Sequence, residues 1–296
     1  MARILLTGIA VLDIINRVPH YPQEDEELRA IGQRRSLGGN AANTAALLAE
    51  LGHEAWLCAT LGDDPASVEI EHRLQARSVN TQALQHVADG QAPTSFVTLN
   101  AANGSRTIVH WRDLPELSAT HFLDLPLEQF DAFHFEGRNV DELIRMLQGL
   151  EGRRVDQPVS IEIEKPRPGI EALFPLADVL IVSRAFARAR GFDTAPALLD
   201  WLAPQSRAAL IVVPWGEAGA WARTREGRAL HEPALAVDSV VDTLGAGDSF
   251  NAGLLDALAG GASAEEAVQR ANRLAGLKVR QEGFAGLAAR FREETA

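Results

Sequence analysis

The stretch VVDTLGAGDSFNAG, Val240 to Gly253, sets one carboxylate, Asp248, directly behind a glycine-alanine-glycine turn and ahead of a helical run. A turn of this kind between an extended segment and a helix aims several N–H groups at one point, with the positive end of the helix dipole behind them, and so makes a site for an anion. Asp248 has two readings there: a cap on the helix, or a base beside the bound anion. Spacing alone favours the cap by a little, because glycine-rich turns are common. Sharper templates narrow the chemistry. A dinucleotide fingerprint needs a third glycine where Phe250 stands. A Walker-type loop needs Gly-Lys-Ser/Thr, and the only lysines, Lys165 and Lys278, do not follow glycine. Gly247-Asp248-Ser249 suggests a Gly-Asp-Ser serine hydrolase, whose base would be a downstream histidine, but none follows His231. That hydrolase stays as the alternative from another class. Phosphoryl transfer to an alcohol suits the turn better: the amides of Gly245, Ala246 and Gly247 form an anion hole, and Asp248 takes the proton of the attacking hydroxyl.

Strands and helices must position these groups, and the chain alternates between them. Apolar runs bounded by turn residues recur at ILLTGIAV, EAWLCAT, AFHFEG, VSIEIE, ADVLIVS and AALIVVPWG, with helical spacing between most of them, as in VDELIRMLQGL. This predicts an α/β fold with a largely parallel sheet. Two segments depart from the pattern. EELRAIGQRRS (26–36) and the pair TSFVTLN and SRTIVHWR (94–112) alternate like antiparallel strands, the pair joined through Ala101-Ala102-Asn103-Gly104. They are expected to form a small discontinuous β lid on a single domain spanning 1–296.

With 296 residues, 46% of them hydrophobic, the chain suits a globular protein, and a net charge of −12 argues against a nucleic-acid partner. No apolar run is long enough to span a membrane, and the N-terminal run resembles a strand more than a signal peptide, so the expectation is a cytoplasmic protein without a membrane partner. Cys58, the one cysteine, lies in an apolar stretch and reads as a buried thiol.

DTLGAGDSFNAG and GGNAANTAALLAELG (38–52) resemble the C-terminal and N-terminal signatures of the PfkB/ribokinase family of sugar kinases. VLDII, YPQEDEE, GSRTI, FEGRN, EIEKPR and GFAGL bring the resemblance nearest to its ketohexokinase branch. The resemblance implies a ribokinase-like three-layer domain, a β lid that pairs with the lid of a second copy in a homodimer, ATP and Mg2+, and a ketohexose acceptor, fructose first, phosphorylated at a primary hydroxyl. Another sugar, sugar acid or nucleoside would leave both signatures intact. Carried over residue by residue, it implies an acceptor site of Asp13 (after the first strand), Gly39, Asn40, Asn43, Arg106 and Asp25, the last reaching into a partner's site. It implies a nucleotide side of Trp215, Gly216, Glu217, Gly219 and Asn272. Many members carry Asn-x-x-Glu after the ADVLIVS strand to organise Mg2+; Ser183 and Phe186 stand there in this chain, which leaves Glu162 or Glu164 as outer-shell support. In a strand these two glutamates point to opposite faces, so at most one is expected to face the site.

Overall fold

The computed structural model describes residues 1–152 and 157–295. Among these residues eight strands form one sheet, in the spatial order β14 (Ala229–Glu232), β13 (Ala220–Thr224), β12 (Leu210–Pro214), β11 (Val179–Val182), β10 (Val159–Ile163), β9 (Ala132–Glu136), β1 (Arg3–Thr7) and β4 (Glu54–Cys58). Every pairing from β12 to β4 is parallel, while β13 and β14 extend one edge antiparallel. Parallel neighbours cannot be joined by a tight turn, so the chain crosses between them through helices that cover both faces. On one face lie α1 (Asn40–Glu50), α2 (Pro65–Ala76), α7 (Ala246–Ala259), α8 (Ala264–Lys278) and α9 (Leu287–Thr295); on the other lie α3 (Ala119–Leu123), α4 (Val140–Gly149), α5 (Arg184–Ala189) and α6 (Ala195–Leu202). This is the α/β fold with a largely parallel sheet that the alternating pattern predicts, in the three layers that the resemblance implies.

The two-residue period of the strands decides what each face receives. Phe133 and Phe135 of β9 and Ile161 and Ile163 of β10 enter the core beneath α3–α6. Their neighbours His134, Glu136, Ser160 and Glu162 are therefore turned to the opposite face, beneath α1 and α7, and all four are buried. Polar groups there cost stability unless paired, and His134 Nδ1 meets Ser160 Oγ at 2.9 Å while Glu136 pairs with Arg138 at 3.3 Å.

A second sheet has the order β3 (Gly32–Gly38), β2 (Val11–Val18), β7 (Thr94–Asn100) and β8 (Arg106–Trp111). A short parallel pair, β5 (Thr60–Leu61) with β6 (Gln85–His86), completes the strands. The hairpin expected at 94–112 lies at β7 and β8. Two expectations need correction. The strand expected from residue 26 begins at Gly32, after an exposed acidic loop. ILLTGIAVLDII is two strands in different sheets: the Gly8 N–H makes the last bond to β4, at the Cys58 carbonyl (3.1 Å), and the Ile9 N–H then leaves the ladder for the Glu136 carboxylate (3.1 Å), which separates β1 from β2. Cys58 is buried, and burial pushes its thiol well above the usual range.

Candidate active site

Gly245 caps α7 in the left-handed region (φ 81°), and a Cβ on it would stand 2.2 Å from the Phe284 ring, so this position needs glycine on both counts. Ala246 and Gly247 open the helix and Asp248 follows in its first turn, yet no side chain caps that helix end. The cap reading therefore fails. The Asp248 carboxylate instead accepts from Asn43 Nδ2 at 2.7 Å, and Thr44 Oγ1 reaches the Asp248 carbonyl at 3.4 Å. Burial pushes Asp248 up to about 8; the Asn43 amide opposes this, while the charges of Glu136, Glu164 and Asp13 add to it. The anion hole is narrower than the sequence suggests, because the Ala246 N–H is directed to the Thr243 carbonyl (3.3 Å). Ser249 is buried and donates to the Gly245 carbonyl at 2.9 Å, which removes it as a hydrolase nucleophile.

α1 faces this turn from the other side. Its N-cap, Gly39 (φ 96°), lies so close to the chain that a Cβ would sit 2.2 Å from the Ile9 carbonyl oxygen. Neither asparagine caps the helix. Asn43, one turn in, holds Asp248, and Asn40 Nδ2 donates to Glu162 Oε2 at 3.2 Å. Burial pushes Glu162 well above the carboxylate range, reinforced by the charges of Asp248, Glu136 and Glu164. Glu136 is likewise raised by burial, against the pull of Arg138 (3.3 Å) and the Ile9 N–H. Glu164 lies beyond the end of β10 and is partly exposed beside Lys165, so Glu162 is the glutamate turned inward.

Asp13 comes after the first strand, β1, as expected, and lies within β2 of the second sheet. In register, Ser36, Asp13, Ser95 and His110 form one row across β3, β2, β7 and β8, and cross-strand partners share a face. Burial pushes Asp13 up to about 6, opposed by the Ser95 hydroxyl and the Arg34 charge. Ser95 Oγ also lies 3.2 Å from His110 Nδ1. Arg106, at the start of β8, bonds Thr243 Oγ1 in the segment leading to the turn. A cleft of about 430 Å3 joins Asp13, Asn43 and Leu244 to Arg34, Arg73, Arg77 and Phe284. Ser36, Ser95, His110 and Arg34 were missed in the sequence; only the period-two register with Asp13 could have revealed the first three.

The other expected residues are less committed to a site. Trp215 is buried in the core under α5 and α6, so its side chain is not free to meet a base. Gly216 and Gly219 shape a tight loop in which the Trp215 N–H meets the Gly219 carbonyl at 2.7 Å, and the exposed Glu217 pairs with Arg184 at 2.9 Å. The Asn272 amide bonds the Pro233 carbonyl beyond β14, a structural anchor. Asp25 is exposed at φ 62°, and among the described residues no hydrogen bond or ion pair links it to the site. Ser183 caps α5 by accepting from the Phe186 N–H (3.0 Å), and Phe186 packs on Phe174 and Trp201, so the missing Asn-x-x-Glu pair is replaced by a cap and a core ring. Among the described residues no three His, Cys, Asp or Glu side chains converge as metal ligands, and no helix is long and apolar enough to cross a membrane.

The profile described as pfkB family carbohydrate kinase matches residues 1–288. Ketohexokinase of Mus musculus is 38% identical over 293 residues, covering 96% of this chain and 98% of that protein. ATP-dependent ribose-1-phosphate kinase of Halopiger xanaduensis is 29% identical over 294 residues, 96% of this chain and 94% of the other. Among solved structures, the ribokinase of Arabidopsis thaliana complexed with ribose and ATP superposes with a TM-score of 0.78 at 20% identity, covering 95% of this chain and 94% of that one.

Proposed function

Since this chain belongs to the pfkB family of carbohydrate kinases and is an ATP-dependent sugar kinase, we propose that its acceptor is a ketohexose, fructose first, phosphorylated at a primary hydroxyl. The observation that carries the reading is Asp248: a buried carboxylate in the first turn of α7 that caps nothing and is held at 2.7 Å by Asn43, beside the cleft that Asp13 lines. Asp248 takes the hydroxyl proton as the oxygen bonds the γ-phosphorus; the bond to the β-phosphate oxygen breaks and ADP leaves. The Gly245 and Gly247 amides and Arg106 answer the charge on the transferred group. A base with a pKa near the working pH combines proton affinity with availability. Asp13 and Asn43 orient the sugar hydroxyls, with Asn40 held by Glu162 and Gly39 fixing the start of α1. The 38% identity to mouse ketohexokinase, across nearly the whole of both chains, supports the ketose.

Mg2+ fits this site only as a companion of the nucleotide. It would be carried by phosphates and water, with Glu164 the more available carboxylate for outer-shell support, because Glu162 is engaged with Asn40 and burial disfavours its charged form. The backbone loop at Gly216–Gly219 is the proposed nucleotide wall, with Asn272 fixing the segment beside it. The second sheet is the proposed lid. Ile14, Phe96, Val109 and Trp111 fall on one of its faces by register, and Phe96, Val109 and Trp111 are exposed, which supports pairing with a second copy in a homodimer.

The test is ADP release over a panel of ketoses, aldoses, nucleosides and sugar acids, where fructose is expected to give the highest kcat/KM. No turnover on any ketose with robust turnover on a nucleoside or sugar acid would overturn the acceptor; no ADP release on any of them would overturn the reading of the site.

Arg34 favours a second reading, a phosphorylated acceptor. Its guanidinium stands between Asp13 and Asp242 (3.5 Å from the latter), in a cleft that also takes Arg73 and Arg77, and the Halopiger relative is named for a sugar phosphate. Arg34→Gln separates the two: KM for fructose should stay within about threefold, whereas a phosphosugar acceptor would lose roughly 10- to 100-fold in kcat/KM with its charge-assisted contact.

A further inference from the structure

The turn that carries Asp248 is braced from behind by a buried ammonium. Lys278 ends α8, where a cation suits the helix dipole, and its side chain is wholly buried. Its Nζ donates to the Asp242 carbonyl (3.0 Å), to Asp242 Oδ2 (3.2 Å) and to the Gln281 carbonyl (3.4 Å). An ammonium has three N–H groups, and these oxygens use all of them. Asp242 passes the brace onward: Oδ1 accepts from the Leu244 N–H (2.9 Å) and Oδ2 from the Gly283 N–H (3.2 Å), with Arg34 at 3.5 Å. Phe284 closes the arrangement, its ring 5.6 Å from Nζ and pressed into the space a Cβ on Gly245 would need. One hub thus ties the end of α8, the 281–284 segment and the 242–245 segment entering α7.

A buried ion pair is a weak source of stability, since apolar groups of similar volume often replace one at no loss. What such a hub supplies is position. Burial holds the Lys278 ammonium below its usual range, against the charge and hydrogen bond of Asp242; burial acts against the Asp242 carboxylate too, but the Leu244 amide, Lys278 and the Gly283 amide bring it below its ordinary value.

We infer that Lys278 is a positioning residue, a built-in cation that sets the Gly245–Asp248 turn through Asp242 and Phe284, a role that rests on the reading of that turn as catalytic. Lys278→Ala leaves a space lined by three oxygens, and a small ammonium ion has the charge and the donors to fill it. Lys278→Met fills the same space with an apolar chain that admits no ion.

The test measures ADP release with fructose, or with whichever panel acceptor turns over fastest, together with amide hydrogen exchange. Both variants should lose roughly 10- to 100-fold in kcat, as small misplacements of reacting groups do, with KM changed less than about threefold. Ammonium and methylammonium chloride should restore much of the alanine variant's kcat and none of the methionine variant's, and tetramethylammonium at equal ionic strength should restore neither. Exchange needs no acceptor, so it stands apart from the kinase reading: peptides 241–247 and 281–286 should exchange faster in Lys278→Ala and regain protection with ammonium. Unchanged exchange there overturns the brace. Faster exchange with normal kcat, or equal rescue of both variants, overturns the positioning role. Should the single variants fail to fold, Lys278→Met with Asp242→Asn removes both charges together; normal kcat in that pair overturns the inference, and a lowered kcat that ammonium leaves unmoved supports it.

Discussion

Replacing Asp248 by asparagine should cut turnover by roughly 10^2- to 10^4-fold and at the same time make the protein more stable at alkaline pH. The two effects share one cause. Asparagine keeps the shape and can still face the Asn43 amide, so the fold loses little, but it cannot take a proton from the acceptor hydroxyl. Its benefit to stability follows from linkage. The folded-state pKa, about 8, lies above the ordinary 3.8, so the folded protein holds this proton more tightly than the unfolded chain does. The contribution is fully present below about pH 4 and is lost as pH rises through about 8, where a buried charge must be sustained. At one pKa unit per about 1.4 kcal/mol, the variant should gain on the order of 2–5 kcal/mol over the native protein at pH 9 and nearly nothing at pH 4. Urea unfolding at both pH values measures this, and in the native enzyme kcat/KM should climb with pH to a plateau above about 8. A variant with near-normal turnover would show that Asp248 is not the base. A stability difference equal at both pH values would show that its burial is not what shifts it.

The residues that could be read from sequence are those whose role is written in local chain geometry. Gly39 and Gly245 announce themselves because a left-handed backbone and a close neighbour leave no room for another residue, and Asp248 and Asn43 follow at fixed offsets inside the helices those glycines open. The parallel sheet was legible for a similar reason, since strands buried on both faces are continuous apolar runs. That same continuity hid the break at Gly8, where β1 and β2 part into separate sheets, and with it the placement of Asp13 inside β2. β13 and β14 escaped notice because they are short and of mixed polarity, AWART and ALHE. Ser36, Ser95 and His110 depend on strand register, which pairs residues as far apart in the chain as Asp13 and Ser95, and Lys278 depends on a helix returning to the same turn from 36 residues downstream. At Trp215 the loop motif was legible in the sequence, whereas the direction of its side chain is set by the core.

Mixing two nearly inactive variants should recover about a quarter of the active sites, if the second sheet is a lid shared between copies. Asp25 lies in the exposed acidic loop before β3, at φ 62°, with no bond among the described residues to the site of its own chain. In isolation it is one solvated carboxylate among Glu24, Glu26 and Glu27. The sheet that follows it argues for more. Phe96, Val109 and Trp111 stand exposed, and β3 and β8 leave two open edges, a surface that a single copy has every reason to cover. A two-fold pairing of such sheets would carry each acidic loop toward the other copy's Asp13 and Asn43, where a carboxylate can accept from a sugar hydroxyl. Asp25→Ala and Asp248→Asn should then each lower turnover on fructose severely. After subunit exchange at equal amounts, random assortment makes half the dimers mixed. Each mixed dimer has one site that joins an intact Asp248 from one chain to an intact Asp25 from the other, and one site lacking both, so roughly a quarter of all sites work. If Asp25 serves its own chain, every site in the mixture lacks one carboxylate and no activity returns. If Asp25→Ala alone is fully active, Asp25 takes no part at all. Mixing therefore distinguishes a shared site from a private one by the fraction of activity recovered, without requiring an image of the dimer.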